Sequence, residues 1–302
     1  MEITLALGGG GVKGFAHIGV IRALEDEGFK IKAIAGTSIG AMIAGVYGAG
    51  FAPDEIEKYL NRLDQGLFYK RKPSDGPAIL GLAGVERALE DTLGNTQFSN
   101  LNIPVAMTAV DMNSGELLVL EEGSVRDAIL ASIAVPGIFP PRKWHGRSLV
   151  DGGVLDPVPV ALARKLAPQH PVVAVTLSPE STSWEQRPSS RLLTSLPFVS
   201  QYLSRMRIAQ AIDIFFRSVD IAGTSLTDMR LSIDKPEVII RPDTHDIGLI
   251  DQIDFSEVAL LGEIAARSVL PELKRITRWP NRVSRRFRRL IPSEKWIAHH
   301  VP

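Results

Sequence analysis

A serine with glycine two residues before it and two after it, Gly36-Thr37-Ser38-Ile39-Gly40, interrupts an uncharged run from Ala33 to Pro53. The stretch Ile31-Lys32-Ala33-Ile34-Ala35 before it reads as a strand, and Ala41-Met42-Ile43-Ala44-Gly45-Val46-Tyr47 after it reads as a helix. A strand that turns abruptly into a helix crowds the backbone on either side of the apex, so only glycine fits at the flanking positions. The serine hydroxyl then stands above a helix N-terminus, which favours developing negative charge. The alternative is that Ser38 caps the helix, a position serine prefers. The run is also long enough for a membrane span, which takes about 20 apolar residues. Its five glycines, its threonine and serine and the break at the elbow indicate a buried strand and a core helix instead.

Upstream, Glu2 to Leu7 reads as a first strand that ends in Gly8-Gly9-Gly10-Gly11-Val12-Lys13-Gly14, followed by an amphipathic helix from Phe15 to Glu27. Strand, glycine loop, helix, strand, elbow, helix is the start of an α/β fold with a mostly parallel central sheet and helices on both faces. Ligands on such sheets gather at the carboxyl ends of the strands, where both the glycine loop and Ser38 lie. Pro53 opens a helix, Val85 to Leu93 forms another, and Pro104 to Val110 with Glu116 to Leu120 forms a strand pair. Ser124 caps a helix from Val125 to Ile133, and Pro136 to Pro141 is a rigid apolar loop. Arg147 to Val150 is a brief strand that delivers Asp151-Gly152-Gly153. A helix from Val158 to Leu166, a β-branched central strand from Val172 to Leu177, a last strand from Glu237 to Arg241 and a closing helix from Phe255 to Leu273 complete the pattern. Residues 179–235 change texture, with a helical stretch from Arg191 to Ile221, and read as an inserted or lid-like segment. The expected organisation is one domain, 1–273, and a basic tail, 274–302.

Thirty-four basic and 34 acidic residues balance, so no overall field argues for nucleic acid. Eight of the basic residues fall between Lys274 and Arg289 without an acid, interleaved with Ile276, Trp279, Val283 and Phe287. That pattern suits the surface of an anionic membrane; a solvated basic tail is the second reading, and nucleic-acid binding is the third and weakest, because the rest of the chain is net acidic by the same eight charges. The chain has no cysteine, which excludes disulfides, thiol nucleophiles and cysteine-bound metal. No cofactor and no metal is expected. Met1 to Leu5 lacks the features of a secretory signal, so the expectation is a cytoplasmic protein with peripheral membrane contact.

The glycine loop has two readings. Gly9-x-Gly11-x-x-Gly14 satisfies the dinucleotide fingerprint, but Ala35-Gly36-Thr37-Ser38 stands where the ribose-binding acid belongs. A P-loop also fails, because Gly14 follows Lys13 in place of serine or threonine. In the other reading, the amides of Gly9, Gly10 and Gly11 converge on a small anionic site beside the elbow, as an oxyanion hole requires. Lys13 either adds positive potential there or packs its stem and leaves its head in water.

A serine nucleophile needs a base. The histidines are His17, His145, His170, His245, His299 and His300. His17 lies inside the first helix and reads as a packed residue, whereas His170 and His245 are the triad candidates. Asp151 ends a strand, and the glycines after it let the backbone approach another segment, so its carboxylate is placed to take the Ser38 proton directly. The competing reading is an Asx-turn.

Three motifs in order, Gly9-Gly10-Gly11-Val12-Lys13-Gly14, Gly36-Thr37-Ser38-Ile39-Gly40 and Asp151-Gly152-Gly153, closely resemble the patatin-like phospholipases. Ala131 to Pro141 is also similar to the family segment before the aspartate. The resemblance covers about Ile3 to Leu177 and, more weakly, Glu237 to Leu273. It implies a three-layer α/β/α fold and a Ser-Asp dyad with Ser38 as nucleophile and Asp151 as general base. The glycine amides would be oxyanion donors, with Lys13, Gly14, Gly36, Gly40, Gly152 and Gly153 supporting the motifs. The implied activity is hydrolysis of lipid acyl esters through an acyl-enzyme. The alternatives are acyl transfer on the same dyad and a catalytically weak regulatory or membrane-binding module.

Overall fold

The computed structural model describes residues 1–179, 207–277 and 299–300. The strands are β1 (Glu2–Leu7), β2 (Lys30–Thr37), β3 (Val105–Asp111), β4 (Leu117–Leu120), β5 (Arg142–Trp144), β6 (Arg147–Asp151), β7 (Val172–Val175), β8 (Val238–Ile240) and β9 (His299–His300). The helices are α1 (Ala16–Asp26), α2 (Ile39–Gly48), α3 (Pro53–Leu60), α4 (Ala83–Leu93), α5 (Val125–Ser132), α6 (Val160–Leu166), α7 (Arg207–Asp234) and α8 (Phe255–Thr277). They build one sheet in the order β5-β6-β3-β2-β1-β7-β8, with β4 also paired to β3 and β9 to β4. The β8-β7-β1-β2-β3 portion is parallel throughout.

Strand residues alternate between two cores, as a period of two requires. Ile3, Leu5, Leu7, Ile34, Met107, Val173 and Val175 point to the face carrying α1, α2, α5 and α8. Ala6, Ala35, Ala106 and Ala174 point to the other face and pack with Val160, Leu162 and Ala163 of α6 and Leu231 of α7. This is the expected α/β fold in three layers.

The register on β3 places the site. β2 runs parallel to β3 and its last pair is Thr37 with Thr108. β6 is antiparallel to β3 and its last pair is Asp151 with Ala109. β4 pairs with Met107 to Val110 and so occupies the opposite edge. The carboxyl ends of β2 and β6 therefore meet head to head along one edge of β3, with Ser38 just past one and Asp151 at the tip of the other.

Four expectations shift. β7 is fully buried between β1 and β8 but lies second from the sheet edge, not at its centre. For β5, directly after the proline pair, the sequence predicts no element, and its antiparallel pairing to β6 makes it a strand. Of the helix expected over 191–221, residues 207–221 are described and belong to α7, which runs on to Asp234; its last turns pack on the domain, where Thr224, Thr227, Arg230 and Leu231 are buried. Residues 180–206 lie outside the described residues, as do 278–298 of the basic tail. α8 also continues past the expected boundary at 273, because Ala266, Leu270, Leu273 and Thr277 extend one buried stripe. Lys274 is thereby part of the domain and bonds Glu27 Oε2 at 2.7 Å.

Candidate active site

Ser38 has φ 57° and ψ −127°, a backbone conformation that non-glycine residues hold only under strain. Its backbone carbonyl accepts from Ala41 and Met42 at the start of α2, but its side chain makes no helix cap. The Oγ instead donates to Asp151 Oδ2 at 2.5 Å. This decides against the capping alternative. The elbow is held by the Ser38 amide, which donates to Ser132 Oγ at 2.9 Å. It is also held by the seating of Gly40 on Leu7, where a Cβ would come within 2.2 Å of the Leu7 carbonyl oxygen.

Asp151 is 5% exposed. Its amide donates to the Ala134 carbonyl, and its Oδ1 accepts from the Gly153 amide at 2.7 Å. That second bond is the expected Asx-turn, so the turn and the contact with Ser38 coexist on different oxygens. Burial raises the Asp151 carboxyl to about 6, and the bonds from Ser38 and Gly153 oppose it. A carboxylate so placed is a better proton acceptor than an exposed aspartate, whose ordinary value is about 3.9.

The glycine loop is anchored first and free second. The Gly8 amide donates to Val175 O, the Gly9 amide to Pro157 O at 3.0 Å, and the Gly8 carbonyl accepts a bond from His17 Nε2 at 2.8 Å. Gly9 is thus corrected as a donor to substrate: its amide is committed, and the residue is small because Ser38 Cβ lies against it. Gly10 and Gly11 adopt φ 158° and 60°, and no acceptor for their amides is found among the described residues. Gly14 packs on Ile39, joining the two loops.

Histidine takes no part in this constellation among the described residues. His17 is fully buried under the glycine loop, and burial lowers it to about 4 against the opposing bond to the Gly8 carbonyl. His170 lies at the amino ends of the strands, 3.8 Å from Glu2 Oε2. His245 is exposed and held by Asp243 at 2.6 Å and Asp246 at 3.1 Å. Sequence reasoning passed over Ser132, Thr37, Thr108 and Asp156. Thr37 Oγ1 pairs with Thr108 Oγ1 at 2.7 Å and donates to the Asp156 carbonyl at 2.8 Å.

An apolar cavity of about 110 Å³ opens on Ser38. Ile39, Met42, Ile43 and Val46 line it from one face of α2, and Ile56, Leu60, Phe68, Tyr69, Leu82 and Leu89 supply further walls. Val135, just before the proline loop, and Phe139 within it also line the cavity. Ser38 to Val46 is eight residues of helix, so the cavity follows α2 for about 12 Å.

The family model described as patatin-like phospholipase matches residues 5–164, more than half of the chain. The chain belongs to the patatin-like phospholipase family. An uncharacterized NTE family protein of Mycobacterium bovis is 41% identical over 162 residues, which are 53% of this chain and 45% of that protein. A protein named lysophospholipase NTE1 in Debaryomyces hansenii is 27% identical over 292 residues, 92% of this chain and 18% of that one. The chain thus spans less than half the length of these curated relatives. Among solved structures, VipD from Legionella pneumophila matches with a TM-score of 0.51 at 13% identity, over 89% of this chain and 66% of that one, a likeness of fold.

Proposed function

We propose that this patatin-like chain hydrolyses acyl esters of lipids through Ser38 and Asp151, without histidine. The observation that carries the reading is the 2.5 Å bond from Ser38 Oγ to Asp151 Oδ2 at the mouth of an apolar cavity. Ser38 Oγ attacks the ester carbonyl as its proton passes to Asp151. The tetrahedral oxyanion forms beside the amides of Gly10 and Gly11, where preorganised donors act most strongly. Collapse expels the alkoxide, which takes the proton back from Asp151 and leaves the acyl group on Ser38. Water then attacks the acyl-enzyme as Asp151 accepts its proton; the second tetrahedral intermediate collapses with that proton passing to the departing Ser38 Oγ, and the fatty acid leaves.

The cavity along α2 receives the acyl chain, and the polar remainder of the lipid stays toward solvent. Lysophospholipid, the substrate class in the name of the Debaryomyces relative, fits that division. Among the described residues no helix is long and apolar enough to cross a membrane, and we assign contact with an anionic bilayer to the basic tail. Because Leu273 and Thr277 are buried, the truncation that tests the tail ends after Thr277. Equal sedimentation of intact and truncated protein with anionic vesicles would remove that role.

The deciding experiment is a panel of lysophospholipids and esters of graded chain length on native protein and Ser38→Ala, with and without an added alcohol acceptor. Free fatty acid from native protein and none from Ser38→Ala supports hydrolysis, whereas an acylated acceptor in its place assigns transfer. Val46→Phe fills the cavity about 12 Å from Ser38. It is expected to lower long-chain turnover about tenfold while sparing short-chain esters, on the scale of a few methylenes of lost burial. Equal effects on both would displace the acyl chain from this cavity.

A further inference from the structure

Asp156 follows Asp151 by five residues, and its main chain is spent entirely on the flanks of the dyad. Its amide donates to the Gly152 carbonyl at 2.9 Å, beside Asp151, and its carbonyl accepts from Thr37 Oγ1 at 2.8 Å, beside Ser38. Thr37 Oγ1 is shared with Thr108 Oγ1, on the stretch of β3 where the two strand ends meet. One residue therefore ties together the tip of β2, the tip of β6 and their common neighbour. What orients that residue is its side chain.

The Asp156 carboxylate is 2% exposed and meets the guanidinium of Arg230, Nε to Oδ1 at 3.3 Å and Nη2 to Oδ2 at 3.0 Å. Arg230 is itself 5% exposed, and its Nη2 lies 3.5 Å from Asp234 Oδ2. A two-point contact between a planar fork and a carboxylate fixes direction as well as distance, which a lysine ammonium does not. Arg230 stands on α7, beyond the residues that match the family model, on the α6 side of the sheet.

We propose that Arg230 is a positioning residue for the dyad: through Asp156 it sets the separation of the strand tips that carry Ser38 and Asp151. It touches neither the substrate nor the reacting atoms. Its contribution is that the Ser38 to Asp151 distance is held from the opposite layer of the protein, and that α7 is mechanically part of the active centre. The inference rests on the dyad reading.

The test is steady-state hydrolysis by Arg230→Lys and Arg230→Met in the full chain, with active sites counted by fluorophosphonate labelling, so that turnover is expressed per reactive Ser38. Arg164→Met is the control. Arg164 also anchors this layer, to Glu237 Oε1 at 2.8 Å, the Lys235 carbonyl at 2.8 Å and the Asp234 carbonyl at 3.2 Å, and none of these bonds is to Asp156. A misplacement of about 1 Å at a reacting pair costs on the order of 100-fold. The expected result is a fall in kcat per labelled site of about 10- to 100-fold in Arg230→Met and a smaller one in Arg230→Lys, with KM within about twofold. Arg164→Met keeps the parent kcat per labelled site. A purely structural Arg230 would reduce the number of labelled sites and leave kcat per site at the parent value in both variants, which overturns the proposal. A parent protein that is not labelled at all overturns the dyad reading and this inference with it.

Discussion

Asp151 and Asp156 stand at the two ends of one turn, 5% and 2% exposed, and burial raises both carboxyls to about 6. Their partners differ. Asp151 is met by a hydroxyl and an amide, both neutral, and no ion pair to it is found among the described residues. Asp156 is met by the fork of Arg230, whose charge opposes the effect of burial. A proton arriving on Asp151 relieves a buried charge that has no counterion, whereas a proton arriving on Asp156 would break the two-point contact with Arg230 and leave the guanidinium only Asp234, 3.5 Å away. On the proposed reading, equal burial yields a proton acceptor at one end of the turn and a strut at the other. The deciding variable is the cation.

That contrast breaks most sharply at the nucleophile. Ser38→Ala is expected to lower kcat about a million-fold, to background, with loss of fluorophosphonate labelling. Asp151→Asn keeps the shape and removes the proton acceptor, and about 1,000- to 10,000-fold should be lost from kcat. Asp156→Asn also keeps the shape and still offers Arg230 an acceptor, so its loss should stay near tenfold, the scale of disturbed positioning. Equal losses at 151 and 156 would erase the distinction between acceptor and strut.

The pH dependence sharpens the same point. kcat/KM for native protein should rise as pH passes through about 6 and level off above, because the general base proposed at Asp151 must be deprotonated to act. Stability runs the other way. The folded carboxyl lies above its unfolded value of about 4, so between about 4 and 6 the native state holds a proton that the unfolded chain has released. Its contribution to stability is greatest below about 4 and is lost as pH climbs to 6. Asp151→Asn should then unfold at higher denaturant than native protein at pH 7, by at most about 3 kcal/mol, and by nothing near pH 4. His17, lowered to about 4, has the opposite slope: the unfolded chain takes up its proton first, so its contribution falls away as pH drops below about 6.5. Acid unfolding of Asp151→Asn should accordingly be steeper than that of native protein.

The difference between the two acids also marks what could be read from sequence. Ser38 and Asp151 sit in glycine-flanked turns, and a glycine requirement is local, so it leaves a pattern in consecutive residues. β1, β2 and the strand pair around Asn113 were legible for the same reason, through short-range alternation and turn residues. Arg230 and Asp156 are 74 residues apart, and their pairing depends on how α7 crosses the sheet. The trace left in sequence is slight: a charged residue inside the apolar stretch Val154 to Val160, and an arginine in register with Thr224, Thr227 and Leu231 on the buried stripe of α7. The head-to-head meeting of β2 and β6 is a register on β3, and register between distant strands has no local signature. Gly9 misled for a related reason. Its residue type declares close approach, and only the position of the Pro157 carbonyl shows that its amide is already committed.

The smallest expected effects come from the histidines, and they test whether a cation-free acid can serve alone. A histidine base would have to lie within about 3 Å of Ser38 Oγ or reach it through one water. His170 precedes β7 at the end where β1 begins, and Glu2 to Gly8 spans six residues at about 3.3 Å each, so about 20 Å separate it from the glycine loop. His245 is engaged by two aspartates on an exposed loop, and their proximity holds its proton more tightly than usual, which disfavours the neutral form a base must adopt. His170→Gln and His245→Gln should each leave kcat/KM within about twofold of native protein at pH 7 to 8, since neither touches the reacting atoms. A loss in either variant comparable to that of Asp151→Asn would mean that the proton leaves Ser38 by another route, and the contrast between the two buried acids would then lose its catalytic meaning.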